Sequence, residues 1–464
     1  MMFAALLAAR TAAASSRLLR RGSGTTYPGV LAERIHPDLI RDLSRQLLSG
    51  PVVVTGTNGK TTTCKMLGDT LAAGGMRLLR NESGSNLRQG IASAMAASTG
   101  VFSGRVRADT AVLEVDEATT ASVVPLLQPR AFCITNLSRD QLDRYGDLET
   151  IGSRLASAVE SARGATLLLN ADDPLVVALA KHHEGPVAYF GLDTSGLPDA
   201  ASSRGMSAAP CPACGEPIAY SAVAYGHLGV WRCGSCGTRR PDPGFIASDI
   251  TLTAHGSEFT LTALGQSARV ALPIAGLHNV YNALAAASCA AMLGLPLGAI
   301  AASLAAFEPA FGRSEALLVE GHDVELLLAK NPVGAEQTIV SVLADAGPKA
   351  LGFALNDNIA DGTDISWIWD VDFEAHDLSG IPIVVSGNRA RDLALRFKYA
   401  GKRGVRVCED PVDAMRLLAE ATPSGGSAHM LATYTAMLAI RNVLVPAAGR
   451  FSALGKGLRH GLEH

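Results

Sequence analysis

The sequence has no surplus of basic residues, no long apolar run and few aromatic residues. Its 40 lysines and arginines against 43 acidic residues give a formal net charge of -3, so charge offers no argument for a nucleic-acid partner. No stretch reaches the roughly 20 uninterrupted apolar residues that a membrane-spanning helix needs. Hydrophobic residues nevertheless make up 48% of the 464, which is typical of a folded α/β protein and argues against a disordered one. A chain of this length predicts two or three domains.

Cysteine is also scarce, and its eight copies fall into two groups. Cys64, Cys133, Cys289 and Cys408 lie singly in apolar segments, whereas Cys211, Cys214, Cys233 and Cys236 form two C-x-x-C pairs. This distribution argues against the disulfide framework of a secreted protein and indicates a reducing compartment with one metal site. Four thiolate ligands leave no coordination position for water, so we expect a structural zinc that folds the insertion 205–242. Catalytic zinc and a redox dithiol are the alternatives.

The first 45 residues predict an amphipathic, basic helical segment. Arg10 interrupts its apolar run, and Arg17, Arg20 and Arg21 follow that run instead of preceding it, which is not the order of a secretory signal peptide. Such a helix either packs on the domain behind it or contacts an anionic membrane face. We therefore expect a cytoplasmic protein. If the helix contacts the membrane, the protein would be peripheral at its inner face.

The pattern of the remaining chain predicts an α/β fold. Short β-rich runs alternate with alanine-rich helical stretches from residue 51 onward, which predicts a mostly parallel sheet with both faces covered. The insertion interrupts this pattern, and strands with period-two alternation, expected to be antiparallel, follow it. A second α/β series begins near residue 312. The expected domains are therefore 1–45, 46–312 and 313–464.

A phosphate-binding loop is predicted where the first strand meets the first helix of this series. The loop reads GTNGKTT, namely Gly56, Thr57, Asn58, Gly59, Lys60, Thr61 and Thr62. Glycines let the backbone N–H groups point at phosphate oxygens, Lys60 reaches the outer phosphates and Thr61 can ligate magnesium. A plain glycine turn is the alternative. Glu114, with Asp116 and Glu117 beside it, ends the next long strand and could complete the magnesium shell; acidic residues in water are the alternative there.

Several motifs resemble those of the Mur ligases and folylpolyglutamate synthases, ATP-dependent enzymes that join a carboxylate to an amine. They are TGTNGKTTT at 55–63, TNLSRDQLDRYG at 135–146, LLNADDP at 168–174, GLHNVYNALAA at 276–286 and FGRSE at 311–315. The resemblance implies that Lys60 and Thr61 handle the γ-phosphate and magnesium and that Glu114 ligates magnesium. It also implies that Asn279, Asn282 and Arg313 contact the nucleotide.

The chain departs from the family pattern at two places. The family's D-H-L-D is replaced by Asp140, Gln141, Leu142 and Asp143, and its D-x-A-H-N-P becomes LLAKNP, with Lys330 for histidine. These changes argue against an ordinary amino-acid-adding ligase. The inserted cysteine ribbon instead resembles one branch of the family, the MurT-type subunits of lipid II isoglutaminyl synthase. The stretch 355–374 resembles that branch's D-N-x-x-A-D-G-x-D-x-S-W motif.

That branch implies a specific reaction and a specific partner. The α-carboxylate of D-glutamate in the lipid II stem peptide would become D-isoglutamine through an acyl phosphate, with ATP, Mg²⁺ and structural Zn²⁺ as cofactors. A GatD-type glutaminase would supply ammonia, and an aspartate of this chain would complete the partner's catalytic triad. Asp357, Asp361 and Asp364 are the candidates, and we favour Asp364. The alternatives are an amino-acid-adding Mur ligase or folylpolyglutamate synthase, and a nucleotide-binding subunit without catalysis.

Overall fold

The computed structural model describes residues 1–18, 26–81, 84–138, 148–195, 210–253, 256–308, 315–344 and 347–444. These residues form two compact units that divide between Phe307 and Glu308. Among them, no helix is both long enough and apolar enough to cross a bilayer.

The amino-terminal unit alternates helices and strands. Its helices are α1 (Met2–Leu18), α2 (Tyr27–Ile35), α3 (Leu39–Ser44), α4 (Lys60–Ala73), α5 (Arg88–Ala97), α6 (Thr120–Leu127), α7 (Leu148–Ser161), α8 (Pro174–Val177), α9 (Leu277–Met292) and α10 (Leu297–Ala305). Its strands are β1 (Pro51–Thr55), β2 (Leu78–Arg80), β3 (Thr110–Glu114), β4 (Ala131–Ile134), β5 (Thr166–Asn170), β6 (Val187–Leu192), β7 (Ile218–Tyr225), β8 (Leu228–Cys233), β9 (Phe245–Leu252), β10 (Ser257–Ala263) and β11 (Gln266–Leu272).

A nine-stranded sheet forms the centre of this unit, in the order β11-β10-β9-β6-β5-β4-β1-β3-β2. The pairs from β9 through β2 are parallel, and β9-β10 and β10-β11 are antiparallel. Strand β1 lies between β3 and β4, so the strand order reverses there. Ligands of open parallel sheets bind beyond the carboxyl ends of strands at such a point. The loop after β1 therefore lies where this topology favours a ligand.

Both faces of the sheet are covered, as the continuous apolar run of β1 predicts. Val53 packs into a core with α1, α2, α3, α5, α6 and α7, while Val52 and Val54 pack into a second core with α4, α9 and α10. The predicted α/β class with a mostly parallel, covered sheet is confirmed. The hairpin β7-β8 pairs with neither large sheet and carries the cysteine ribbon.

The carboxy-terminal unit contains a six-stranded sheet in the order β12-β13-β17-β14-β15-β16. Its strands are β12 (Glu315–Val319), β13 (His322–Leu328), β14 (Lys349–Ala354), β15 (Ile383–Ser386), β16 (Arg406–Val407) and β17 (Ser427–Ala432). Its helices are α11 (Pro332–Leu343), α12 (Ala390–Tyr399), α13 (Pro411–Ala421) and α14 (Tyr434–Leu444). All its strand pairs are parallel except β12-β13, and apolar cores lie on both faces.

Candidate functional site

The glycine loop after β1 is shaped by two residues with positive φ. Gly56 has φ of 126° and Gly59 has φ of 85°. A Cβ atom at Gly56 would lie 2.3 Å from the Thr135 hydroxyl oxygen, and one at Gly59 would lie 1.9 Å from the Asn282 Oδ1. Both positions therefore require glycine, for conformation and for space. The close approach at Gly59 also places Asn282 of α9 directly against the loop.

Lys60 begins α4 and folds its side chain back over the loop. It is 8% exposed. Its ammonium donates hydrogen bonds to the carbonyls of Gly56 at 2.6 Å and Thr57 at 3.3 Å, and it forms an ion pair with Glu117 at 2.9 Å. The sequence predicted that Lys60 reaches the outer phosphates of a nucleotide, and it gave Glu117 only as a neighbour of Glu114.

The charge state of Lys60 follows from three nearby carboxylates. Burial alone would lower the pKa of Lys60, but attraction to Glu117, Asp116 and Glu114 raises it above its ordinary value. Burial raises the pKa of Glu117, and the ammonium opposes that rise. The loop therefore holds a permanently charged, largely dehydrated cation. Such a cation interacts strongly with phosphate oxygens because little water screens it.

The segment that follows β4 forms the second wall of the loop. Thr57 donates its N–H to the Asn136 carbonyl at 2.8 Å. The amide of Asn136 forms two bonds with Asn58, accepting from its N–H and donating to its carbonyl, both at 3.0 Å. The Ser138 N–H donates to the Thr57 hydroxyl at 3.0 Å. The loop is thus held from the neighbouring strand, a contact that its own sequence does not reveal.

Glu114 lies at the carboxyl end of β3 and is buried. Its Oε1 accepts from the Asn86 amide at 3.2 Å, and its backbone N–H and carbonyl both bond to the side chain of Asn81. Thr61 is half-buried in the first turn of α4, and Thr62 is buried. Carboxylate and hydroxyl oxygens are the ligands that Mg²⁺ prefers, so the donor set near the loop fits this ion.

The two predicted asparagines of α9 lie beside the loop. Asn282 donates to the Asn279 Oδ1 at 3.1 Å, Asn279 donates to the Ala275 carbonyl at 2.7 Å, and Thr63 of α4 contacts the Asn282 Oδ1 at 3.5 Å. Their side chains are therefore fixed in direction. Arg313, the third residue assigned to the nucleotide, lies outside the described residues, as do Asp140, Gln141, Leu142 and Asp143.

The two C-x-x-C turns meet at the end of the hairpin β7-β8. The Cys211 and Cys236 sulfurs are 3.6 Å apart, as are those of Cys214 and Cys233, and all four lie within 4.8 Å of one another. A tetrahedron of sulfurs at about 2.3 Å from zinc has edges of about 3.8 Å, so the cluster has the size of a zinc site. The Thr238 hydroxyl lies 3.1 Å from the Cys236 sulfur and is its polar neighbour in the turn.

In the carboxy-terminal unit, the three candidate aspartates have different environments. Asp361 is buried and accepts from the N–H and the hydroxyl of Thr435. Asp357 accepts from the Asn388 amide at 2.7 Å and lies 3.6 Å from Arg389. Asp364 is half-buried, and its Oδ1 accepts from the N–H of Ser366, two residues on, at 2.8 Å. Both oxygens of Asp361 are thus used in hydrogen bonds that hold the fold. The carboxylate of Asp364 has fewer contacts than that of Asp357.

Arg396 of α12 anchors the loop that carries these aspartates. It is 4% exposed, and its guanidinium donates to the carbonyls of Ile368 at 3.1 Å and Val371 at 2.6 Å. On the same stretch, Ile359 is 80% exposed and Trp369 is 48% exposed. The loop therefore has an anchored backbone and two exposed apolar side chains. Nothing in the loop's own sequence indicated that Arg396 anchors it.

Comparisons with known proteins agree on one relationship. The family model for the Mur ligase middle domain matches residues 54–204, and that for the MurT ligase C-terminal domain matches 328–437. The chain is 35% identical to the lipid II isoglutaminyl synthase (glutamine-hydrolyzing) subunit MurT of Streptococcus pneumoniae (strain ATCC BAA-255 / R6), over 92% of this chain and 94% of that protein.

Solved structures show the same fold at low sequence identity. A pseudomurein peptide ligase type C from Methanothermus fervidus aligns with a TM-score of 0.67 at 23% identity, over 86% of this chain and 79% of that one. The MurF ligase from Thermotoga maritima in complex with ADP aligns with a TM-score of 0.62 at 14% identity, over 89% and 83%.

Proposed function

The chain belongs to the MurT family of lipid II isoglutaminyl synthase subunits, and from that premise we propose that it is the ATP-dependent amidating subunit of such an enzyme. Its substrate is the α-carboxylate of D-glutamate in the lipid II stem peptide, and its product is D-isoglutamine. One observation carries the proposal: a buried, charged Lys60 lies over a glycine loop, beside the carboxylates of Glu114 and Glu117.

The reaction follows from the chemistry of a carboxylate, which is a poor electrophile with a poor leaving group. An oxygen of the substrate carboxylate forms a bond to the γ-phosphorus of ATP while the bond to the β-phosphate oxygen breaks and ADP leaves. Ammonia then forms the C–N bond, phosphate leaves, and one proton is lost to give the amide. Lys60 and the backbone N–H groups at the start of α4 stabilise the charge that develops on the transferred phosphoryl group. Magnesium, held by Glu114 and Thr61, would supply further neutralisation.

Ammonia comes, in this proposal, from a GatD-type glutaminase subunit. The name of the pneumococcal relative includes glutamine hydrolysis and describes that protein as one subunit of the enzyme. A second subunit that hydrolyses glutamine fits this description. Asp364 is the residue we assign to the partner's triad, because its carboxylate has fewer contacts than that of Asp361. A carboxylate in this position orients a histidine and supports its protonated form. The exposed Ile359 and Trp369 would lie in the interface.

The zinc cluster has a structural role in this proposal. Four sulfurs at ligand distance from one centre leave no place for a reacting water, and the short hairpin has only a small apolar cluster of its own. Holding the two C-x-x-C turns together would give this segment a fixed shape.

We also propose that the protein contacts the inner face of the membrane, where a lipid-linked substrate lies. One stripe of α1 packs on the unit through Ala5, Leu6 and Ala9, while Phe3 and Leu7 are about half exposed. Phe3 lies 6.0 Å from Phe102, whose side chain is 94% exposed. The sequence gave two interpretations of this helix, packing on the domain and contact with a membrane. Both can hold at once, because one side of α1 packs on the unit and other apolar side chains are exposed.

The proposal is tested by assaying purified protein with Mg-ATP and lipid II, with and without its glutaminase. Amidation driven by added ammonia without the glutaminase is the expected result, together with ATP hydrolysis that depends on lipid II. Incorporation of an amino acid instead would identify an amino-acid-adding ligase. ATP binding with no turnover under either condition would identify a non-catalytic subunit and overturn the proposal.

A further inference from the structure

The ribbon hairpin β7-β8 contacts three consecutive residues that follow β5 in the amino-terminal unit. The Trp231 indole is buried and donates to the Ala171 carbonyl at 3.1 Å. The Gly229 N–H donates to the Asp172 carbonyl at 3.0 Å. His227, in the turn of the hairpin, contacts the carboxylate of the next residue, Asp173, at 3.0 Å. The hairpin is therefore docked on the segment that follows β5, and not merely tethered to the unit.

Asp173 has no exposed surface, and both its oxygens are engaged. Oδ1 caps α8 by accepting from the N–H groups of Leu175 at 2.9 Å and Val176 at 3.2 Å. Oδ2 accepts from the Leu137 N–H at 2.8 Å and is the atom that His227 contacts. A buried carboxylate is costly unless donors surround it, so loss of the His227 contact would disturb the other bonds of Oδ2.

Leu137 belongs to the segment that walls the phosphate loop. Its neighbours Asn136 and Ser138 hold Asn58 and Thr57 of the loop at 3.0 Å. The same segment is held from β5, because the Asn170 amide donates to the Thr135 carbonyl at 3.0 Å. His227 is thus connected to the loop by its hydrogen bond to Asp173, by the bond of Asp173 to Leu137, and by the backbone that joins Leu137 to Asn136 and Ser138.

We infer that the ribbon positions the phosphate loop, and that the His227–Asp173 hydrogen bond is the contact through which it acts. This inference rests on the proposed function, since it assumes that nucleotide binds at the loop. His227 is a positioning residue here, because it reaches the loop only through other residues. The ribbon then has a role in nucleotide affinity beyond the folding of its own segment.

The test compares Mg-ADP binding by calorimetry in the full-length wild type and three variants. His227→Ala is expected to weaken Mg-ADP binding by about five- to tenfold, because His227 reaches the loop only through other residues and only part of the effect of losing one charge-assisted hydrogen bond is transmitted. His227→Gln retains an N–H donor but carries no charge, so it is expected to restore only part of the affinity. Ser221→Ala is the matched control, since Ser221 is exposed on the same hairpin and bonds only within it. Zinc content and cooperative thermal unfolding are measured for each variant.

A pH profile separates positioning from a general loss of stability. The groups that face His227 are Asp173 and the hydroxyl of Tyr220, with Tyr225 also close to Asp173. Although burial lowers the pKa of His227, attraction to Asp173 raises it above its ordinary value. The ion pair is therefore complete below about pH 6.5, the pKa of free histidine, and is lost as pH rises through the raised value. Because the neutral imidazole can still donate its Nε2–H to Asp173, affinity for Mg-ADP in the wild type should fall over that range towards the level of His227→Gln, whose own affinity should not change with pH.

The outcomes distinguish this inference from the proposed function. Failure of the wild type to bind Mg-ADP would refute the nucleotide site itself. A wild type that binds, with His227→Ala binding equally well, would refute the inference alone. Equal weakening in His227→Ala and His227→Gln would also refute it, because the donor would then not be the cause. If His227→Ala does not fold, the wild-type pH profile and its comparison with His227→Gln still test the inference. An affinity that does not change with pH in the wild type would then refute it.

Discussion

At the scale of single residues, Lys60 is the side chain on which the proposed chemistry depends most. Lys60→Ala removes a cation that the structure holds charged and dehydrated over the loop. We expect ATP-dependent amidation to fall by about a hundredfold or more, even with free ammonia supplied, because a preorganised charge near the transferred phosphoryl group is lost. The rate of lipid II amidation is the measurement.

Lys65→Ala is the matched control for that experiment. Lys65 lies on the same helix, α4, but pairs with Asp69 away from the loop, and such a half-exposed pair contributes little. Its loss should leave amidation nearly unchanged. Retained activity in Lys60→Ala would mean that the loop is not the phosphate site.

Asp364 gives the second prediction at this scale. Asp364→Asn should lower glutamine-driven amidation by at least about tenfold and spare ammonia-driven amidation, since a neutral amide orients and supports a partner histidine poorly. The two rates are measured side by side in the complex with the glutaminase. Asp357→Asn provides the comparison, because that residue already pairs with Asn388 and Arg389.

A parallel fall of both rates in Asp364→Asn would assign the residue to folding or to the synthetase site. The structure already explains why Asp361 is a poor candidate. Both its oxygens bond to Thr435 of α14, so its substitution should destabilise the carboxy-terminal unit whatever the partner does.

Sequence could identify the loop residues but not what holds them. Gly56, Gly59 and Lys60 lie within one short motif, where spacing carries the information. Glu117 and Asn136 lie far along the chain, and their contacts with the loop depend on β3 and β4 flanking β1. Strand order is set by the packing of the whole sheet, so pairings of this kind cannot be inferred from local pattern.

At the scale of elements, the cysteine hairpin was predictable as a unit because its four cysteines come from two short turns. Its docking was not, because Trp231 and His227 carry no signal of their own. The same contrast holds for α1. Its amphipathic character is visible in sequence, whereas the exposed Phe3 follows from where the helix packs.

Removal of zinc tests the ribbon as an element. Cys233→Ser should lose bound zinc, and trypsin should then cut at the exposed Arg232 and Arg239 at least about tenfold faster, because a segment without its metal opens locally. Zinc content and the rate of cleavage are the two measurements. Cys408→Ser is the control, since Cys408 stands alone in the carboxy-terminal unit. Unchanged proteolysis after zinc loss would show that the hairpin holds its shape without metal.

At the scale of the whole molecule, charge is nearly balanced overall but unevenly placed. The chain carries a net charge of -3, yet residues 1–32 contain no aspartate or glutamate, nor do residues 98–108. Arg105 and Arg107 are exposed close along the chain to Phe102. An exposed aromatic pair with nearby cations, in a region poor in acids, matches the chemistry of an anionic bilayer surface.

This arrangement predicts that the protein binds vesicles containing phosphatidylglycerol more strongly than vesicles of phosphatidylcholine alone, and that salt weakens the binding. The double variant Phe3→Ser and Phe102→Ser should lower the bound fraction by about tenfold, because two apolar side chains no longer enter the headgroup region. Co-sedimentation with vesicles measures it. Leu264→Ser is the control, as Leu264 is 75% exposed at a hairpin turn away from α1. Equal sedimentation of the double variant and the wild type would rule out this surface, and self-association that disappears in the double variant would assign it to a second copy of the chain instead.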